Sequence, residues 1–500
     1  MELRELVESL RVVSVEGGLN REVSGITYDS RRVTPGMLFV AIPGQRTDGH
    51  EFISSALDRG ATAVICERNG GFSQRATRIK VTDVREALAQ VAASYYEHPS
   101  SKLKVIGVTG TNGKTTVSFM VKAILEAAGI KTGLLGTVHY EIGERIIPAQ
   151  RTTPESLEVQ QMMAQMVRAG CQGCVMEVSS HALEQKRVLG IDFDVAIFTN
   201  LTRDHLDFHG TMEKYFAAKR KLFASLGEGS KKAAAVINID DDFGARLAGQ
   251  ANVEVELTYG LQKAARLRAT KIQLGAEGSK FTVESAQRAF ACRLPLIGRH
   301  NIYNALAAAG AGLALGVEVG HVQAALNRIT PVPGRLEGVS LGQPFGVFVD
   351  YAHTDDALKN VLATLREITT GRVLVAFGCG GNRDAGKRPK MGRIAAELAD
   401  FTIITSDNPR KETAEKIAAQ IEDGFRQVRA DRYRVELDRR RAIHEIIGEA
   451  KKSDSVLIAG KGHETYQEFE DTVVPFDDRL HAREALESLG FGTTRTDAAR

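Results

Sequence analysis

Ten residues, GVTGTNGKTT at positions 107–116, constrain this 500-residue chain more than any other stretch. They continue KLKVI, an apolar β-branched run that reads as a buried parallel strand. They lead into KTTVSFMVKAILEAAG, whose apolar residues recur at helical spacing before a terminal Gly. Strand, Gly-rich turn and helix start together present backbone N–H groups and the positive helix end to phosphate oxygens. Lys114 adds a point charge for the β/γ-phosphates, and Thr115 a hydroxyl for Mg2+. The strict phosphate loop, G-x-x-x-x-G-K-[ST], wants Gly five residues before Gly113, where this chain has Val108. The stretch therefore predicts nucleotide binding through a variant loop, GTNGKTT. A chance Gly-rich turn is the competing reading, and the flanking strand and helix disfavour it.

A phosphate loop serves switches, motors, kinases and ligases alike, so the rest of the chain must decide. Lys plus Arg is 65 against 62 for Asp plus Glu, a balance that argues against nucleic acid as the main partner. No apolar run reaches the ~18 residues of a membrane span. The start, MELRELVESL, alternates charge with Leu and lacks the apolar centre of a signal peptide, so a cytoplasmic protein is expected. Five scattered cysteines make a disulfide framework a poor reading. Cys171 and Cys174 form one C-x-x-C without a second pair, which reads as two small residues near a buried strand.

Three blocks are legible. Residues 1–100 carry short strand-like runs, GMLFVAIPG and ATAVICE, and end in a helical pattern before a Pro-Ser-Ser break. Residues 101–333 hold the loop and further strands, GCVMEVSS, FDVAIFTN and KKAAAVINID, with a more antiparallel stretch near 253–292. Residues 334–500 follow a Pro/Gly-rich turn and alternate strand and helix again, predicting a second, smaller doubly wound sheet. DYAH, GCGGNRD, SDNPR and GKGHE all stand at carboxyl ends of its strands, where such sheets gather ligands. The fold class is α/β in three domains.

Several stretches carry chemistry. Glu177 ends an apolar strand, where a carboxylate reaches a magnesium held by the loop; taken alone such a Glu is more often solvated or capping, and the attached Ser179, Ser180 and His181 favour function. Asp204, His205, Asp207 and His209 crowd into six positions, and the i,i+4 spacing of the histidines could put both on one helix face. Catalytic zinc lacks a third ligand there, so one imidazole on a nucleotide-bound magnesium is preferred. Lys219 lies in an amphipathic helix, where composition alone favours an exposed, solvated side chain. Asn301 and Asn304 stand at a helix start, fit for capping or for reading an adenine edge, and Arg335 of GRLE could reach across a domain cleft. Arg410 follows Pro409 at an apparent helix entrance, a poor place for positive charge and a good one for a bidentate carboxylate clamp.

GTNGKTT, EVSSHAL, NLTRDHLDFHG, GRHNIYNALAA, GRLE, DYAHTDD, GCGGNRDAGKRP, DNPR and GKGHE occur in this order. The set resembles the Mur ligases of bacterial cell-wall synthesis over nearly the whole chain. The resemblance implies an N-terminal α/β domain for a UDP-sugar, a central phosphate-loop ATPase with a parallel sheet, and a C-terminal Rossmann-like domain for the incoming amino acid. It implies ATP and Mg2+ as cofactors and an ADP-forming amide ligase acting on small molecules as a monomer.

Residue by residue, the resemblance implies that Gly110, Thr111, Asn112, Gly113, Lys114, Thr115, Thr116, Asn301, Arg335 and Asp350 meet ATP. Thr115, Glu177, His205 and Lys219, the last as a carbamate, would serve magnesium, with Lys114, Lys219 and His205 as the catalytic set. Tyr28, Ser30, Gln45, Arg46, Thr47, Thr152, Thr153, Ser179, Gln185 and Arg187 would hold UDP-MurNAc-L-Ala-D-Glu. Arg383, Asp407, Asn408, Pro409, Arg410, Gly460 and Glu464 would hold meso-diaminopimelate. That molecule carries an amino-acid group at each end, so its far end needs partners for a carboxylate, Arg410 and Arg383, and for an ammonium, Glu464. Lysine lacks the far carboxylate and has no use for the Arg of DNPR. The one departure is Asn382 in GCGGNRD, where Asp is common in relatives; Arg383 is retained. Two other readings are a folylpolyglutamate-type ligase, which would not need the first hundred residues or DNPR, and a nucleotide switch, for which no N-K-x-D stretch is present.

Overall fold

The computed structural model describes residues 1–44, 47–68, 76–275, 277–285 and 288–492. Gln45 and Arg46 of the expected UDP-sugar loop lie outside the described residues. Three main sheets follow one another along the chain.

The first sheet runs Val12–Glu16, Thr77–Val81, Ala63–Cys66, Met37–Val40 and Gly25–Thr27. Four of its strands are parallel, and Val12–Glu16 closes one edge antiparallel. Helix Val84–Tyr95 covers it, burying Val84, Leu88, Val91 and Ala92, while Asp83 caps the helix by accepting from Glu86 N.

The central sheet has eleven strands. Its middle is parallel: Thr132–Leu135, Gly173–Glu177, Lys104–Thr109, Val195–Phe198, Ala234–Asn238 and Val255–Gly260. Antiparallel strands extend both edges, so the parallel sheet expected from the sequence is the core of a mixed one. The antiparallel stretch read near 253–292 is two-natured: Val255–Gly260 joins the parallel core, and only from Leu267–Gly275 onward does the chain turn back on itself. Lys104–Thr109 lies between two parallel neighbours. Its Ile106 and Val108 enter the core beneath helices Lys114–Ala127 and Arg299–Ala314, while Val105 enters the core on the opposite face. That double burial is why the run reads as continuously apolar.

The third sheet is ordered Glu337–Gly338, Gly346–Asp350, Ser455–Ala459, Val373–Phe377, Phe401–Ile404, Tyr433–Val435, parallel except at the first strand. DYAH, GCGGNRD, SDNPR and GKGHE leave four adjacent parallel strands at the same edge, as anticipated. A small hairpin, Tyr466–Phe469 with Thr472–Pro475, stands beside that edge. No helix among the described residues is long and apolar enough to cross a membrane.

Candidate functional site

A cavity of about 540 Å3 lies where the phosphate loop faces the third sheet, lined among others by Lys114, Glu177, His205, Asn301, Arg335 and Asp350. The loop owes its shape to two glycines. Gly110 has φ of 147° and Gly113, which precedes the helix, φ of 87°. A Cβ at Gly113 would come within 2.5 Å of Asn304 Oδ1, so helix Arg299–Ala314 packs directly on the loop. Asn301 and Asn304 are buried, and Asn304 Nδ2 donates to Asn301 Oδ1 at 3.0 Å. Neither caps the helix, whose preceding residue is Gly298. They form a polar floor under the loop.

Thr115 is the junction of the site. Its Oγ1 donates to Glu177 Oε2 at 3.1 Å and accepts from Arg335 Nη2 at 3.1 Å. Glu177 is 1% exposed and also accepts from Thr137 N at 2.8 Å and Thr137 Oγ1 at 3.0 Å. Thr137 carries no motif in the sequence and was not anticipated. Arg335 does reach across the cleft, as GRLE suggested, and stacks over Tyr351. Asp350 is more structural than expected: its two oxygens accept from Leu336 N and Ala352 N, both at 2.7 Å, which fixes the turn carrying Arg335. Burial pushes its carboxyl above the ordinary value.

Lys219 differs most from composition-based expectation. It is 1% exposed, with Nζ donating to Gly110 O at 2.8 Å. Lys114 Nζ donates to the same carbonyl at 3.0 Å. Burial and then the neighbouring Lys114 charge push the Lys219 amine well below its ordinary value; burial lowers Lys114 as well. Helix Met212–Ala224 delivers Lys219 inward together with Tyr215, whose ring lies 4.6 Å from Nζ.

The two histidines of DHLDFH part company. His205 precedes the short helix Leu206–His209 with φ of 53°, so the pair does not share a helix face. His205 lines the cavity with 43% of its side chain exposed, and desolvation there lowers its pKa from the ordinary value. His209 is buried, bonded through Nε2 to Ser180 Oγ at 2.9 Å and stacked on Tyr215.

The donors here fit a hard cation shared with phosphate oxygens. They are a hydroxyl, a buried carboxylate and an imidazole, and among the described residues no three His, Cys, Asp or Glu side chains converge as a ready-made cage. The Nε atoms of Arg335 and Arg187 are buried without a hydrogen-bond partner among the described residues, donors suited to an anion.

Thr152, Thr153, Ser179, Gln185 and Arg187 are brought together. Thr153 Oγ1 donates to Glu177 O at 2.7 Å and accepts from Ser179 N at 3.1 Å. Arg187 donates to Thr153 O at 2.9 Å and to Gln185 Oε1 at 2.6 Å. Thr152 Oγ1 lies 3.0 Å from Thr137 Oγ1. In the first unit, Tyr28 donates to Glu158 Oε1 at 2.8 Å, linking that unit to the central one; Ser30 opens the turn Ser30–Arg32, and Thr47 is exposed.

At the far edge of the third sheet, Lys461 is fully buried. Its Nζ donates to Asn408 Oδ1 at 3.0 Å and Glu464 Oε2 at 3.1 Å, and lies 3.6 Å from Asp407 Oδ1. Asn408 Nδ2 donates to the same Glu464 oxygen at 3.0 Å. Burial raises the Glu464 pKa. Gly460 passes this cluster with φ of 116°. Arg410 does not open a helix: the next one is Ala414–Arg426, and Arg410 sits in the left-handed region at φ 53°. A Cβ at Gly380 would come within 3.0 Å of Arg410 Nη1 and 3.8 Å of Arg383 Cγ, so both arginines flank that glycine.

Residues 22–96 match the model of the Mur ligase family, catalytic domain, 108–312 the Mur ligase middle domain, and 334–462 the Mur ligase, glutamate ligase domain. A UDP-N-acetylmuramoyl-L-alanyl-D-glutamate–2,6-diaminopimelate ligase from Syntrophomonas wolfei is 47% identical over 97% of this chain and 99% of its own. This chain belongs to the Mur ligase family. A solved structure of a ligase bearing that same substrate name superposes on this Mur ligase with a TM-score of 0.70 at 33% identity, covering 98% of this chain and 99% of that one. Mycobacterium tuberculosis folylpolyglutamate synthase, solved with ADP and AMPPCP, reaches a TM-score of 0.63 at 19% identity over 76% of this Mur ligase, a likeness of fold alone.

Proposed function

We propose that the chain joins diaminopimelate to the D-glutamyl γ-carboxylate of UDP-MurNAc-L-Ala-D-Glu, using ATP and releasing ADP. The observation that carries this is the arginine pair Arg383 and Arg410 beside the buried Asp407–Asn408–Lys461–Glu464 cluster, on strand ends facing a phosphate loop. The name of the 47% identical relative supports it. We assign residues 1–100 to the UDP-sugar, 101–333 to ATP and 334–500 to the amino acid, in a cytoplasmic monomer.

Lys114 and the N–H groups of Gly110–Thr116 hold the β/γ-phosphates, and Arg335 moves its guanidinium from Thr115 onto phosphate oxygens. Asn301, Asn304 and Asp350 shape the nucleotide pocket. Tyr28, Ser30 and Thr47, with Gln45 and Arg46, hold the UDP end. Thr152, Thr153, Ser179, Gln185 and Arg187 hold the peptide so that its γ-carboxylate faces the γ-phosphate. The carboxylate oxygen attacks phosphorus, the bond to the ADP oxygen breaks, and an acyl phosphate forms. The free amine of diaminopimelate then adds to the acyl carbon, and the tetrahedral intermediate expels phosphate, which takes up the proton the nitrogen loses. Arg410 and Arg383 bind the far carboxylate, and Glu464, with Oε2 already taken, offers Oε1 to the far ammonium. Closure of the cleft excludes water from the acyl phosphate.

Magnesium, when bound, neutralises charge on the transferring phosphoryl group. Thr115, Glu177, His205 and a carbamate on Lys219 would hold it. The Lys219 amine suits that modification: burial and Lys114 favour its uncharged form, whose nitrogen lone pair adds to CO2 while one proton leaves, turning a buried base into an anion beside Lys114.

Phosphate release from ATP with UDP-MurNAc-L-Ala-D-Glu tests the reading. Release with meso-diaminopimelate far above that with L-lysine is expected; preference for lysine, or turnover indifferent to both, overturns it.

A further inference from the structure

The hairpin Tyr466–Phe469/Thr472–Pro475 is joined to the 407–410 loop rung by rung. Gln467 Nε2 donates to Asp407 O at 2.9 Å, and Glu468 N donates to Asn408 Oδ1 at 3.1 Å. Arg410 N donates to Glu468 O at 3.1 Å, and Glu470 N to Arg410 O at 2.7 Å. Those last two bonds hold Arg410 in its left-handed conformation, which is unfavourable for a residue with a side chain. On the side-chain level, Arg410 Nε donates to Glu468 Oε2 at 2.7 Å, and Nη1 donates to Gly381 O at 3.0 Å.

A guanidinium has five N–H donors. Glu468 takes the one on Nε and Gly381 O one of the two on Nη1. Among the described residues no hydrogen bond uses Nη2, which leaves Nη donors for a carboxylate to bind bidentately. Glu468 is no surrogate ligand awaiting displacement. Its backbone is bonded to that of Arg410, so the two side chains rise from paired segments.

We infer that Glu468 is a positioning residue for amino-acid specificity, aiming the Arg410 fork at the far carboxylate of the incoming diamino acid; this rests on the diaminopimelate reading above. Without it, a long flexible side chain must be ordered at the moment of binding, and only a substrate with a second carboxylate feels the loss. Glu468 is one-third exposed, so its replacement leaves the core untouched.

The experiment measures kcat and KM for meso-diaminopimelate and kcat/KM for L-lysine, in the wild type, Glu468→Gln, Arg410→Ala and the double variant. The expected result is a KM for diaminopimelate raised about tenfold in Glu468→Gln, equivalent to about 1.4 kcal/mol, with kcat and the lysine value unchanged. In the Arg410→Ala background, Glu468→Gln should add nothing. A wild type that prefers diaminopimelate and a Glu468→Gln variant with unchanged or uniformly weakened constants overturns the inference and leaves the substrate reading intact. Additive effects of Glu468→Gln and Arg410→Ala overturn it likewise. A wild type without preference overturns the substrate reading and the inference with it.

Discussion

Replacing Lys219 with methionine separates a structural lysine from a reactive one. The side chain is 1% exposed, and its amine donates to Gly110 O. That carbonyl also accepts from Lys114, so methionine leaves no buried carbonyl bare. The variant loses one hydrogen bond, about 1 kcal/mol, and removes a buried polar head whose desolvation costs about 1–3 kcal/mol in protein interiors. The two nearly cancel. A residual change of about 1 kcal/mol moves the midpoint of a unit this size by roughly 2–4 °C. Activity is expected to fall about 100-fold or more, the scale seen when one group aimed at developing charge is removed. An unshifted lysine would be neutral in only about one molecule in a thousand at pH 7.4, and burial beside Lys114 raises that fraction. Wild-type turnover should therefore climb with added bicarbonate, while the methionine variant stays flat. Phosphate release and thermal midpoint are read on the same samples. A variant within about threefold of wild type refutes the reactive role. Loss of activity together with a collapse of the midpoint refutes the energetic reasoning and leaves Lys219 a strut.

Two more outcomes follow from the third sheet. A Cβ at Gly381 would run into Pro409 O, so Gly381→Ala must push the 407–410 loop away; the KM for the amino acid should rise about tenfold or more, with nucleotide binding by calorimetry unchanged. Glu412 receives both Nη atoms of the buried Arg388 at 2.9 Å, and that bonding holds its carboxyl down to about 2 from 4.5. Because the folded value is depressed, the pair stabilises fully above about pH 4.5 and fades as pH falls toward 2. The urea midpoint of Glu412→Gln should lie below wild type at pH 6 and converge with it near pH 2.

What the sequence made legible was local. Val105, Ile106 and Val108 announce a doubly buried strand, and GTNGKTT announces its turn, because both depend on neighbours in the chain. The shared edge of the carboxyl-end clusters of the third sheet was legible because parallel strands of a doubly wound sheet all end on one side. Lys219 was not legible from its own residues: an amphipathic helix does not say which of its lysines faces in, and only the family resemblance singled it out. Arg410 was read for the right charge and the wrong backbone, since the bonds that hold it left-handed come from a hairpin 58 residues later. Thr137 and Glu468 carried no signal, because each acts through a partner distant in sequence.

The phosphate loop is finished by a residue from another unit. Asp356, in helix Asp355–Ile368, accepts from Asn112 Nδ2 at 3.0 Å and from Thr202 Oγ1 at 2.9 Å. A fragment ending near residue 333 would keep every letter of GTNGKTT and lose one of the two acceptors for the amide of its Asn, leaving Thr202 Oγ1 at 3.3 Å. If Asn112 meets the nucleotide as proposed, its affinity becomes a property of two folded units at once. Assays on the isolated middle segment would read a loop with one wall missing, and grafting that segment onto a foreign C-terminal partner would transfer the motif without its full grip.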